Sequence, residues 1–153
     1  MSDLERVEFK IKLSSHWFRW PPHVLVYLDD QIIEDLLLEE RKDQDQEREI
    51  SFAADLDEGD HELRIQYLDK SAADTMVSED GSIVKDTLIN VESVEIDDID
   101  LGFLTYSKSK FLPDSQARPD LPSEIKELVN IGYNGTWVLR FQVPTYIWFL
   151  ENL

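Results

Sequence analysis

The chain has 153 residues, with 33 Asp or Glu against 15 Lys or Arg, for a formal net charge of −18. Hydrophobic residues make up 42% and Cys is absent, which excludes composition-driven disorder, a disulfide framework, a cysteine nucleophile and thiolate metal sites. The length suits one domain with a core of its own, and the acidic field repels phosphate backbones, so ordinary nucleic-acid binding is not expected.

The N-terminal "MSDLERVEFK" has neither a basic n-region nor an apolar h-region, so no signal peptide is read there. "RVEFKIKL" alternates Val7, Phe9, Ile11 and Leu13 with Glu8, Lys10 and Lys12, the period of a half-buried strand. "SSHWFRWPP" follows as a loop stiffened by its double Pro. "HVLVYLDDQII" reads as a hairpin: a strand over Val24 to Leu28, a turn at Asp29–Asp30, and a return through Ile32 and Ile33. The polar middle of "EDLLLEERKDQDQEREISFAADL" suits a charged loop before a strand through Ile50, Phe52 and Ala54. In "DEGDHELRIQYLD" a Gly-bearing turn leads into alternating Leu63, Ile65 and Tyr67.

The acidic loop "DKSAADTMVSEDGSIVKDT" comes next, from Asp69 to Thr87. After it, Ile89 and Val91 fall out of step with Val94 and Ile96, and a slip near Ser93 predicts a bulge or two partly buried faces. "SEIKELVNIG" predicts a short helix with Ser123 as N-cap and Gly132 at its end. "NGTWVLRFQVP" predicts an Asn-Gly turn and a strand with Trp137, Leu139, Phe141 and Val143 on one face. The apolar ending "TYIWFLENL" is expected to dock, as a last strand in the sheet or against a neighbouring subunit. It is too short to span a membrane, which takes roughly 18 apolar residues.

Short strands separated by turns make the chain all-β: an antiparallel, jelly-roll-like β-sandwich with one short helix near the C-terminus. Residues 1–153 are read as a single domain, with 103–153 a C-terminal extension packing on or beyond the sandwich. No enzyme is expected. His16, His23 and His61 have no partner at metal spacing, and no G-x-S-x-G elbow, P-loop or G-x-G-x-x-G occurs. Acids scattered over so charged a surface are the ordinary expectation even where two lie close enough for glycoside hydrolysis.

Two segments carry candidate ligand chemistry. Trp17 and Trp20 in the aromatic loop either cap the core or offer flat apolar platforms on which a sugar face can stack. The carboxylates of the acidic loop either solvate the surface or gather oxygen ligands for calcium, although the EF-hand pattern is absent.

The run "GDHELRIQYLDKSAADTMVSEDGSIVKDTLINVESVEIDD" resembles the calcium-dependent xylan-binding modules of carbohydrate-binding families 36 and 60. Those modules run a "G-x-H-x-L-x-I/V" strand into an Asn-Asp loop, followed by "D-R-N-L-Y-V-D-x-V-x-V". Gly59, His61, Leu63 and Ile65 match the first part, Asp69 falls at the loop Asp, and Asp86, Val91, Glu92, Val94 and Ile96 match the second. The resemblance implies a carbohydrate-binding-module type of sandwich, with Ca²⁺ held by Asp69 and Asp86 and completed by sugar hydroxyls. The family's "R-N-L-Y" is replaced by Thr87 to Asn90, so only those two carboxylates carry over.

"DDIDLGFL", "GYNGTW" and "PTYIWFLENL" also resemble short proteins of large tailed bacteriophages. That implies a virion or host-cytoplasm location and partners that are other virion proteins or a host-surface glycan. Under this reading Trp17 and Trp20 bind ligand, and Tyr146, Trp148 and Phe149 form an interface, within a homo-oligomer or to a neighbour. A ligand-free structural virion protein and an acidic DNA mimic that inhibits a host nucleic-acid enzyme are the alternatives.

Overall fold

Strand β1 (Glu5–His16) buries Val7, Phe9, Ile11 and Leu13 and turns Glu8, Lys10 and Lys12 toward solvent, the alternation written in its sequence. In the structure, a computed structural model that describes residues 3–153, twelve further strands follow. They are β2 (His23–Leu28), β3 (Gln31–Leu37), β4 (Arg48–Leu56), β5 (Gly59–Leu68), the small hairpin β6 (Met76–Val77) and β7 (Ile83–Lys85), β8 (Leu88–Ile96), β9 (Ile99–Asp100), β10 (Ser109–Pro113), β11 (Ile125–Lys126), β12 (Asn130–Ile131) and β13 (Gly135–Val143). Helices α1 (Leu104–Ser107) and α2 (Thr145–Asn152) precede β10 and end the chain.

Two antiparallel sheets result. One has the order β12-β8-β1-β4, with β9 beside β8; the other has the order β11-β10-β13-β5-β2-β3. Their inward faces share one core in which Phe9 of the first sheet meets Phe141 of the second edge-on at 5.6 Å. The all-β sandwich is therefore observed. The predicted slip in β8 is a bulge: the β1 register shifts between Lys12 and Leu13, opposite Ser93 and Val91. The shift lets Ile89, Val91, Val94 and Ile96 all face inward. The turn Gly has positive φ as expected, 127° at Gly59.

Three expectations change. Residues 103–153 are not an appendage, because β13 lies between β10 and β5 inside the second sheet. The segment predicted as a helix from Ser123 forms β11 and β12, one in each sheet, with Glu127 between them at φ 60°. A helix that short is marginal, and pairing its backbone with β10 and β8 satisfies the same groups. The C-terminal segment is the helix α2, not a strand. Thr145, Trp148 and Phe149, at i, i+3 and i+4, form its buried face.

Gly135 opens β13 at a close approach of two strands. A Cβ there would lie 2.4 Å from the Leu112 carbonyl oxygen and 2.7 Å from the Phe111 ring, so only Gly fits.

The two ends of the sandwich differ. At one end the chain reverses through short acidic turns at Asp29–Asp30, Asp57–Glu58 and Asp97–Asp98. His61 is buried there, with Nδ1 2.8 Å from Asp29 Oδ2 and Nε2 2.8 Å from the Asp57 carbonyl. Burial draws its pKa down, but these hydrogen bonds outweigh it and the net shift is upward from 6.5. At the other end the longer connections at 17–22, 38–47, 69–87 and 114–134 come together.

Two outcomes are expected of the fold. Trp148→Ala should lower stability by about 3–5 kcal/mol in chemical denaturation, because Trp148 is 5% exposed. Tyr146→Ser, at a residue 62% exposed, should stay within about 0.5 kcal/mol. The raised His61 pKa stabilises the fold fully below the unfolded value and is lost as pH rises through the folded value. His61→Gln should accordingly flatten the fall of the unfolding midpoint across that range; an unchanged slope would remove His61 as its source.

Candidate functional site

The long-loop end carries a cleft of about 490 Å³ between the 19–23 segment, β3 and the start of the acidic loop. Pro21 and Pro22 carry the chain from the aromatic loop into β2, and Trp20, just before them, is left 65% exposed on the cleft rim. A large apolar ring held in solvent by a rigid segment is an available stacking platform.

The polar wall alternates donors and acceptors. His23, the first residue of β2, places Nδ1 2.7 Å from Asp69 Oδ2 and Nε2 2.7 Å from Asp35 Oδ1. Asp69 sits at the end of β5 in a left-handed conformation, φ 63°, and Asp35 on the edge strand β3. The hydrogen bond to Asp69 raises the His23 pKa most; partial burial opposes it, and Asp35 adds to the rise. A carboxylate on each nitrogen favours the imidazolium form, in which the ring donates both protons, and both nitrogens are engaged within the wall.

Asp74 forms the deeper wall. Its Oδ2 accepts from the Ser71 backbone N–H at 2.9 Å, but its Oδ1 is buried and has no hydrogen-bond partner. Arg19 lies 3.6 Å from Oδ1, close enough for charge attraction and too long for a hydrogen bond. Asp74 is only 8% exposed, and the buried hydroxyl of Thr87, which also lines the cleft, has no partner either. Buried polar atoms normally find partners; these two lie beneath the cleft surface, where only the charge of Arg19 faces Asp74. Behind it, burial and the charges of Asp74 and Asp86 push the Tyr67 pKa upward, and its hydroxyl donates to the Thr87 carbonyl at 3.1 Å.

The two aromatic candidates separate. Trp20 faces this cleft, whereas Trp17 faces a second one, lined also by Phe18, Arg41 and Lys85. The Arg41 guanidinium lies 3.8 Å over the Trp17 ring and covers it, while Trp17 Nε1 reaches the Glu39 carbonyl at 3.4 Å. Of the predicted interface residues, Tyr146 is exposed, but Trp148 and Phe149 are buried in this chain's own core.

The calcium pair does not converge. Asp69 is engaged by His23, and Asp86 Oδ1 accepts from Lys70 Nζ at 2.7 Å, the Thr75 hydroxyl at 2.7 Å and the Thr87 N–H at 2.8 Å. Among the described residues no group of three or more His, Cys, Asp or Glu gathers as a metal site would. The donor set does not fit calcium: an ammonium already occupies the carboxylate face that the ion would need, and Ca²⁺ takes six to eight oxygens. Sequence reasoning did not single out Arg19, His23, Asp35 or Lys70 as site residues, and weighed Asp74 only as one of the acidic-loop carboxylates. Only the S-x-x-D spacing of Ser71 and Asp74 was a readable signal, and it indicates a loop cap, not a buried acceptor.

No protein-family model matches the chain, and no curated protein matches it in sequence. In three dimensions it is similar to a solved structure described as vCBM60 in complex with galactobiose, with a TM-score of 0.51 and 8% sequence identity. The match covers 86% of this chain and 96% of that one. The likeness shows the fold, an antiparallel β-sandwich. No helix among the described residues is long and apolar enough to cross a membrane.

The His23 arrangement has a direct spectroscopic consequence. Its imidazole should titrate by NMR above 6.5. Asp69→Asn should move that midpoint down, since removing the anion removes the largest upward contribution. A midpoint at or below 6.5 in the unmodified protein would exclude the double carboxylate bridge.

Proposed function

We propose that the protein is a non-enzymatic glycan-binding module that holds a sugar in the cleft beside Trp20. The observation that carries this reading is the exposed Trp20 ring on the rim of a cleft whose wall also presents the accessible side chains of Arg19, Asp35 and Asp69. A pyranose offers an apolar C–H face and a rim of hydroxyls, each both donor and acceptor. Trp20 suits the face, the exposed carboxylates of Asp35 and Asp69 accept from hydroxyls, and Arg19 donates to them. Doubly bonded His23 orients the wall rather than transferring a proton, which supports binding without catalysis.

The fold likeness to a structure solved with galactobiose supports the same reading and makes galactobiose and other neutral oligosaccharides the first ligands to try. The sequence resemblance to phage proteins gives the finer version, in which the module is virion-associated and the glycan lies on a host surface.

A second reading, a structural protein with a neighbour seated on α2, is favoured by one observation. Tyr146, Ile147, Leu150 and Leu153 are exposed on that helix, beside an apolar cleft that Phe149 also lines.

Titration calorimetry with galactobiose and a panel of neutral oligosaccharides tests the glycan reading. Trp20→Ala should weaken binding at least tenfold, about 1.4 kcal/mol, with an unchanged unfolding midpoint because the ring is exposed. Binding by Trp20→Ala equal to that of the unmodified protein would overturn the assignment of the cleft.

A further inference from the structure

We propose that the ammonium of Lys70 is the resident cation of the acidic loop, and that it holds the acidic-loop wall of the cleft in place without calcium. The position of that ammonium is the whole argument. Lys70 follows Asp69 at the end of β5, and its side chain is only 10% exposed. Nζ donates to Asp86 Oδ1 at 2.7 Å and to the Gly132 carbonyl at 2.5 Å. The Lys70 backbone is clasped as well: its N–H donates to Asn134 Oδ1 at 2.9 Å, and Asn134 Nδ2 donates to its carbonyl at 2.8 Å. One residue therefore ties three segments that are distant in sequence: the start of the acidic loop, the 86–87 segment that ends it, and the 132–134 connection into β13.

This is the work a divalent ion does in a loop-rich end of a sandwich. An ion draws carboxylate and carbonyl oxygens from separate segments onto one centre. Here a carboxylate and a carbonyl converge on nitrogen. A calcium ion at Asp86 would have to displace the ammonium or sit beside it, and two cations on one partly buried carboxylate repel strongly. The three donors on Asp86 Oδ1 already hold its pKa below the ordinary carboxylate value despite burial, so no metal is needed to keep it charged.

The inference rests on the glycan reading only in saying what the tied walls are for; the tie has its own readouts. Chelator-stripped protein is titrated with CaCl₂ by calorimetry, and unfolding midpoints are compared in EDTA and in millimolar CaCl₂. The expected result is no one-site isotherm and midpoints equal within about 1 °C, since a ligand of the native state must raise the midpoint by mass action. Lys70→Met keeps the apolar stem and removes the charge. It should lower the midpoint by about 5 °C or more, and Asp86→Asn should then have less effect in that background than alone.

A stoichiometric calcium isotherm that Asp86→Asn abolishes would overturn the proposal, as would a Lys70→Met variant as stable as the parent. If oligosaccharide binds only when calcium is present, this inference fails and the glycan reading survives. If no oligosaccharide binds but calcium has no effect and Lys70→Met is destabilised, the glycan reading fails and the tie stands.

Discussion

Phe9 touches Phe52 within its own sheet at 4.8 Å and Phe141 of the facing sheet at 5.6 Å, and these contacts express the constraint behind the molecule. Strands with a period of two have one apolar face each, and a sheet made of them has one face that must leave water. Pressing two such sheets together is the solution available to a chain without Cys. Everything else follows from where the strand ends then fall. Tight acidic turns close one end. The four long connections are left to pack on each other at the opposite end, and the cleft forms among them.

The excess of acid shapes what those connections can do. With 33 carboxylates and 15 Lys or Arg, a partly buried cation rarely lacks a carboxylate partner, and this chain uses three of them as internal fasteners. His61 joins Asp29 and Asp57 at the turn end, while His23 joins Asp35 and Asp69 at the cleft. Lys70 joins Asp86 to Gly132. Each fastener links residues from different strands or loops, and His23 does so between two carboxylates, those of Asp35 and Asp69. The acids left over lie largely on turns and outer faces, where water screens them.

Such fastening also explains how a cleft built from loops can be ordered enough to recognise anything. A binding wall made of mobile loops loses affinity to the entropy of ordering them. Here the 69–74 segment is held by His23, Asn134 and its own Ser71–Asp74 cap before any ligand arrives. Trp20 is presented by two consecutive prolines. The exposed groups of the wall, Trp20, Arg19, Asp35 and Asp69, are thus held in place before a ligand arrives, which is what preorganisation requires.

The periodic features were legible in the sequence because periodicity is a local property: the inward faces of β1, β5 and β13, the turn at Gly59, and the slip in β8 that the structure realises as a bulge. Exposure of Trp20 was legible as one of two open readings. The two short segments misread in type, from Ser123 and from Thr145, are those whose local pattern is too brief to separate helix from strand. There the partner already waiting decides: β10 and β8 for the first, the surface of β13 for the second. What the acidic loop does was not legible at all. Its sequence shows carboxylates; whether they meet a metal ion, water or an ammonium depends on which side chains other loops bring to the same point. Lys70 finds Asp86 across 16 residues and Asn134 across 64, and contacts at such separations are created only when the two sheets close.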